Sequence, residues 1–268
     1  MSRLLLIFLP IGLIFAGCAE KVKLGNYPAD ELLVMALKDY GDENYDEAKE
    51  KLDVIKLQYP SSQYADDAQF YIAMVHFQKE EFILSTYAFN RVPQYYPGSE
   101  YSIRSAYMAA VSQAKLSPKY FRDQEYTKKA IKAFQEFQYL FPGQDSLYGL
   151  ASKQIVELRS KLAEKDFRVA EQYEILDSPK SAIIYYDAVM DDYPDTRFYE
   201  AAFVGKINSL VRLRKYDDAL SLIDLYKQKF MPSDYTPRVD ELRSTALERK
   251  KEAREEGEDS ESDNALRG

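Results

Sequence analysis

The sequence predicts an all-α protein assembled from repeated helix–turn–helix units. Three observations carry that expectation. A pattern of aromatic, small and apolar residues closing on a proline recurs along the chain, so that one helical unit is used again and again. Glycine is scarce, at 10 of 268 residues, too few for the tight turns of an all-β protein or for a phosphate-cradling loop. Hydrophobic residues make up 46% and charged residues 30%, enough to bury a core while solvating the outer face of each helix. The same composition narrows function. A net charge of −8 argues against nucleic acid, which needs a surplus of Lys and Arg. One Cys forbids an intramolecular disulfide, and one His forbids a His-rich metal site. Trp is absent, whereas Tyr reaches 23 and Phe 14.

The first segment reads as a leader. A short basic start, Ser2-Arg3, precedes an apolar run from Leu4 to Phe15. That run is shorter than the ~20 residues a membrane-spanning helix needs, and Pro10 and Gly12 interrupt it. It ends in Ile14-Phe15-Ala16-Gly17-Cys18. Small residues before a Cys at the end of such a run resemble the lipobox of bacterial lipoproteins, although Phe15 stands where that motif usually has Leu. The resemblance implies a signal peptide over 1–17, cleavage before Cys18, and acylation of its thiol and new amine, with 18–27 as a tether. An ordinary signal peptide with a chance cysteine is the alternative, and it is opposed by Cys18 being the only Cys of the chain. Several acyl chains, at ~0.8 kcal/mol per buried methylene, hold a protein on a membrane far more firmly than one. Ala19 follows the Cys where Asp would imply inner-membrane retention, so the resemblance points to the outer membrane and its periplasmic face.

The repeats begin after Gly25. Tyr45, Ala48, Leu52, Ile55 and Pro60 set the pattern, and Phe82, Ser85, Phe89, Val92 and Pro97 repeat it. Thr127, Ala130, Phe134, Phe137 and Pro142 follow, then Pro179, Ala182, Tyr186, Val189 and Pro194. In the fifth, Tyr216, Ala219, Ile223 and Tyr226, the proline arrives one residue late as Pro232. Residues three, four and seven apart share one face of a helix, so each segment presents one apolar stripe. The small residue lets a partner helix approach, and the proline ends the helix before the next begins. Ala36, Ala73, Ala110, Ala170 and Ile207 take the matching places on those partner helices. A unit of about 34 to 37 residues of this kind resembles the tetratricopeptide repeat, which implies a right-handed helical solenoid of about five repeats.

Repeats one to three occupy 28–142 and repeats four and five 143–243. Insertions near Ser117–Gln124 and Gln144–Lys161 lengthen two intervals. The second carries helical spacing in Leu150, Ile155, Leu158 and Leu162, and so extends the first helix of repeat four into one long helix. Residues 244–268 read as a polar capping helix from Ser244 to about Glu256 and a disordered acidic tail from Gly257.

In a tetratricopeptide solenoid the first helix of each pair lines the concave face. Counting from the small positions, the inward side chains of repeats one to three are Leu33, Leu37 and Tyr40, then Phe70, Met74 and Phe77, then Tyr107 and Val111 with Ala114. Asp30, Asp67 and Arg104 form the rim, and the matching places in repeat four, Phe167, Glu171 and Glu174, are more polar. An exposed apolar, aromatic strip of this kind suits peptide binding, unless flanking helices cover it. Catalysis finds no support. His76, within Tyr71–Phe77, reads as a packed helix residue, and no phosphate loop, metal-ligand cluster or cofactor motif is present.

A lipobox followed by five such repeats is similar to the BamD family, the lipoproteins of the outer-membrane β-barrel assembly machinery. The segments that carry the likeness are Tyr45-Asp46-Glu47-Ala48, Gln58-Tyr59-Pro60-Ser61-Ser62-Gln63-Tyr64-Ala65, Val169-Ala170-Glu171-Gln172-Tyr173 and Asp192-Tyr193-Pro194-Asp195-Thr196. The insert Arg122-Asp123-Gln124 leading into Thr127 also falls where that family has one. The resemblance implies attachment to the outer membrane and binding of the POTRA domains of a BamA-type barrel subunit, mainly through the C-terminal repeats. It also implies recognition of unfolded outer-membrane proteins by the N-terminal repeats, through a C-terminal segment ending in an aromatic residue. Two alternatives stay open, a periplasmic scaffold coordinating cell-wall enzymes and a glycan-binding lipoprotein, the latter disfavoured by the absence of Trp.

Overall fold

A computed structural model describes residues 24–143 and 145–266, with side chains up to Glu256. The leader, Cys18 and most of the tether lie outside the described residues. Among those described there are eleven α-helices and no strand, and they form two compact units, Met1–Ala65 and Asp66–Gly268.

The first unit is one helical hairpin. A 3-10 turn at Leu24–Asn26 leads into α1 (Ala29–Gly41) and α2 (Tyr45–Gln58). Pro28, whose ring sets φ at −67°, immediately precedes α1. Ala36, Ala48, Leu52 and Ile55 are all fully buried, so the small positions meet and the apolar stripe faces inward. The Tyr59 hydroxyl donates to the Tyr27 carbonyl at 3.0 Å and ties the end of α2 back to the start of the hairpin.

The second unit continues with α3 (Ala65–Gln78), α4 (Phe82–Tyr95), α5 (Ser102–Lys115), α6 (Glu125–Leu140) and α7 (Asp145–Ile175). After these come α8 (Pro179–Asp192), α9 (Phe198–Arg212), α10 (Tyr216–Phe230) and α11 (Thr236–Leu266). The helices pair as expected from the repeats, and every small and apolar stripe position is 2% exposed or less. Ser85 is the one polar residue at a small position of the second helix. Its hydroxyl donates to the Ala73 carbonyl at 3.2 Å and lies 3.0 Å from the Ser112 hydroxyl, so its burial leaves no polar group unpaired. The expected division at residue 142 falls inside this unit, where Phe134 and Phe137 of α6 share a core with Ala151 and Leu158 of α7.

Two turn devices repeat. Between the helices of a pair, Glu43, Glu80, Asp177 and Arg214 adopt φ between 54° and 62°. The next residue donates its N–H to the carbonyl five positions back, as in Asn44 to Asp39, Glu81 to His76, Ser178 to Tyr173 and Lys215 to Leu210. This closes each helix in the manner of a Schellman cap, although none of the four left-handed residues is glycine. Between pairs, Tyr59, Tyr96, Phe141 and Tyr193 each precede a proline and hold φ between −126° and −131°. The proline ring disfavours helical geometry in its predecessor, and at these four positions the chain leaves the helix.

The insert of the third repeat is held by side chains. Gln124 Nε2 donates to the carbonyls of Lys119, Tyr120 and Arg122 at 2.9, 3.2 and 3.0 Å, and its Oε1 accepts from Thr127 at 2.7 Å. Lys161 of α7 donates to the Ser117 hydroxyl at 2.7 Å. Long α7 thus forms where the second insertion predicts it, and it grips the first insertion. Farther on, Arg159 binds both carboxylate oxygens of Asp195 through Nε, at 3.0 and 2.8 Å, and fixes the turn after α8.

The C-terminus departs from expectation. The last helix starts at Thr236, before Ser244, because Val239, Leu242 and Ala246 form an apolar stripe buried against α9 and α10. Its helical backbone then continues to Leu266 through the acidic segment, which contains no proline to stop it.

A left-handed L-residue costs roughly 1–2 kcal/mol that glycine avoids. Glu80→Gly or Asp177→Gly is therefore expected to raise stability by about 1 kcal/mol in urea unfolding of the full chain. Unchanged or lowered midpoints for both would show that the side chains stabilise these turns.

Candidate peptide-binding surfaces

The side chains expected to line a trough fall in different environments. On the first hairpin Leu33 is buried, whereas Leu37 and Tyr40 are half-buried, with the Tyr40 ring edge-on to Tyr45 at 5.6 Å. On α3, Phe70 belongs to the core and not to an open groove. Its ring stacks on Tyr101 at 4.3 Å, meets Phe89 at 5.8 Å and is covered by the Arg104 guanidinium at 5.3 Å. The cause is the chain's own aromatic content: Tyr101, at the entry to α5, reaches back over α3 and closes the position. Met74 and Phe77 stay half-buried beside that cluster, with Phe77 edge-on to Phe82 at 5.6 Å. Tyr107 and Val111 of α5 pack into the next cluster, Tyr107 against Phe134 and Phe137 at 5.9 and 5.6 Å. Of the expected trough residues on α3 and α5, Met74, Phe77, Tyr107, Val111 and Ala114 are half-buried.

The rim is a network. The Tyr101 hydroxyl donates to Asp67 Oδ1 at 3.1 Å. Burial pushes the Asp67 carboxyl above the ordinary carboxylate range, helped by Asp66 and Glu100 and opposed by that hydrogen bond. Burial and the adjacent Asp67 charge also raise the Tyr101 phenol, so the donor stays protonated. His76 has a structural partner too, with Nδ1 2.6 Å from Glu81 Oε2 across the α3–α4 turn. Among the described residues no group of three or more His, Cys, Asp or Glu side chains is placed to hold a metal, and no helix is long and apolar enough to cross a membrane.

Two further surfaces lie in the C-terminal repeats, and the second holds Phe167, Glu171 and Glu174, the trough positions of repeat four. A cleft of about 820 Å³ separates α8 from α10 over α9, and Ile183, Ile184, Leu210, Leu213, Leu222 and Leu225 give it an apolar lining. A second groove, of about 500 Å³, lies between α7, α9 and the start of α11. Phe167 and Phe198, rings 5.4 Å apart, line it together with Arg168, Arg197 and Arg238. Its floor exists because residue 205 is glycine: a Cβ there would lie 2.2 Å from Tyr186 Cζ, so only glycine lets the tyrosine lie across α9. Glu174 braces the same floor, accepting from Asn208 Nδ2 at 3.2 Å and the Ser209 hydroxyl at 2.9 Å.

Helix pairs with small residues at their crossings, prolines between pairs and groove-lining first helices define a tetratricopeptide-repeat protein. Residues 26–221 match the family described as YfiO, outer membrane lipoprotein, and the chain belongs to that family. It is similar to the outer membrane protein assembly factor BamD of Pasteurella multocida (strain Pm70), at 24% identity over 200 residues, 69% of this chain and 75% of that protein. Among solved structures it is similar to the TPR2AB domain of yeast Sti1 in complex with pHSP90, at 15% identity and a TM-score of 0.40, over 82% of this chain and 98% of that one. It is also similar to the TPR protein TTC0263 of Thermus thermophilus, at 13% identity and a TM-score of 0.34, over 82% and 99%.

The raised Asp67 carboxyl sets a pH dependence. A carboxyl held above its unfolded value costs stability while ionised, and the cost vanishes as pH falls below that unfolded value. Asp67→Asn keeps an acceptor for Tyr101 and removes the charge. It is expected to raise the thermal midpoint at pH 7 and to make no difference at pH 3. A lower midpoint at pH 7 would mean that the ionised carboxylate is stabilising.

Proposed function

We propose that this protein is a lipid-anchored, non-enzymatic scaffold of an outer-membrane β-barrel assembly machinery. The single observation that carries the reading is the family match across residues 26–221, joined by the similarity to an assembly factor over 200 residues. Acylated Cys18 tethers the chain to the periplasmic face of the outer membrane after removal of residues 1–17. The C-terminal repeats bind a BamA-type barrel subunit through its POTRA domains. The cleft between α8 and α10 supports this, since a concave surface lined by Ile183, Ile184, Leu222 and Leu225 suits the apolar side chains of a partner. Unfolded outer-membrane proteins dock through an aromatic C-terminal segment on Met74, Phe77, Tyr107 and Val111, which offer half-buried apolar contacts without forming the sealed core that holds Phe70.

Affinity purification of the lipidated protein from detergent-solubilised outer membranes is expected to recover, in near-equal amount, a large barrel protein with repeated periplasmic domains. Recovery of peptidoglycan enzymes in its place would overturn the assembly reading. For the docking face, Met74→Glu with Val111→Glu is expected to weaken binding of a fluorescein-labelled peptide ending in Phe by about tenfold at unchanged helicity. Equal affinity would remove those residues from the site.

A further inference from the structure

The insert between α5 and α6 presents an exposed aromatic ring on a rigid support. Phe121 is 61% exposed, with Tyr120 edge-on to it at 5.5 Å and the Arg122 guanidinium 6.0 Å from its centroid. A loose loop can turn such a ring onto the nearest apolar surface. Here the backbone is fixed. Gln124, itself buried, holds the carbonyls of Lys119, Tyr120 and Arg122, and Lys161 of α7 binds the Ser117 hydroxyl. A buried polar network thus keeps an apolar side chain in water, a local cost that a partner for the ring would offset.

The surroundings of that ring are cationic. The stretch from Lys115 to Lys132 carries six Lys and Arg against two carboxylates, in a chain whose net charge is −8. Glu125 is neutralised by Lys129 at 2.7 Å. Asp123 accepts the Glu125 N–H at 2.9 Å and keeps its charge, so it offsets one cation. On the α7 side, Asp166 and its neighbour Asp192 are matched by Lys128 and Lys165, and Arg168 is occupied by Glu164 and Glu171. Lys115, Lys119, Arg122 and Lys132 remain against the single charge of Asp123. Lys119 and Arg122, which flank the ring in sequence, are exposed and form no ion pair among the described residues.

An exposed ring among Lys and Arg has the chemistry of a membrane interface. The ring sits at the level of the headgroups, and the long cationic side chains lay their stems along apolar surface while their heads reach phosphate. The family to which the chain belongs is one of outer membrane lipoproteins, which puts phospholipid headgroups beside it. We propose that this insert is a second membrane contact, in which Phe121 enters the headgroup region of an anionic phospholipid bilayer and Lys119 and Arg122 engage lipid phosphates. A flexible tether alone lets a protein pivot on its anchor, whereas a second contact on a rigid loop fixes how it faces the bilayer. The inference rests on membrane attachment and not on the assembly the protein serves.

The chain contains no Trp, so Phe121→Trp introduces a single indole reporter and keeps the interfacial character of the position. The processed, lipidated protein is reconstituted into vesicles of phosphatidylethanolamine and phosphatidylglycerol and floated to remove unbound chain. Emission wavelength and quenching by lipids brominated on the acyl chain are then read. Tyr139→Trp, at an exposed position about 20 Å along α6, is the control. The Phe121→Trp emission is expected to shift to shorter wavelength and to be quenched, with the control neither shifted nor quenched. Lys119→Gln with Arg122→Gln in the Phe121→Trp chain is expected to lower the quenching at unchanged helicity, since each cation near an anionic surface strengthens contact about fivefold. High salt or phosphatidylcholine vesicles are expected to do the same. Flotation without quenching of Phe121→Trp, equal quenching of both reporters, or quenching indifferent to Lys119→Gln with Arg122→Gln would each overturn the contact and leave the anchor standing. A shift without quenching would place the ring against protein and overturn it too. A chain that does not float would overturn anchor and contact together.

Discussion

Everything in the second unit depends on the close approach of paired helices at residues too small to keep them apart. Ala73 meets Ser85 and Ala170 meets Ala182, and all four of these positions are buried completely. Larger side chains there would separate the axes and strip contacts from the stripes that flank them, at the usual cost of about 1–3 kcal/mol for overpacking. Because the crossing is repeated, the same register positions are buried in each pair. The opposite register is left to solvent or to a neighbour, and that division is what makes surface available for binding.

The turns are economical in a different way. Glycine would be the default for a left-handed cap, yet Glu43, Glu80, Asp177 and Arg214 hold that geometry. The hydrogen bonds to Asp39, His76, Tyr173 and Leu210, together with packing of the flanking helices, over-determine the backbone there. Between pairs the constraint is steric, since proline disfavours helix in its predecessor and the chain leaves the helix at Tyr59, Tyr96, Phe141 and Tyr193, although Val92 stays helical before Pro93 inside α4. The inserted third repeat has no left-handed residue and uses side chains instead, with Gln124 gathering three carbonyls around the loop.

Aromatic residues decide where the surfaces lie. Phe70 would line a trough if its helix pair were isolated. In the folded unit Tyr101 stacks on Phe70, while Phe134 and Phe137 collect Tyr107. The rings are thus engaged in seams between helices, where an aromatic pair contributes about 0.5–1.5 kcal/mol beyond area burial. The C-terminal half reaches the opposite outcome. There the polar positions Glu171 and Glu174 leave room, Gly205 lets Tyr186 lie low, and arginines from three helices surround the space.

The sequence by itself determined the helix pairs, their small crossings, long α7 and the place of each proline stop. These follow from spacing along one helix, which is local and indifferent to the rest of the chain. The family likeness was legible for the same reason, because its motifs are short and lie at repeat boundaries. Only the tertiary structure decided that Phe70 is core, that Arg197 is left without an acidic partner, and that Arg168, Arg197 and Arg238 share one groove. Side chains this far apart in sequence meet only through the packing of α7, α9 and α11. The exposure of an inward-facing residue likewise depends on what the next helix places over it, and periodicity carries no record of that.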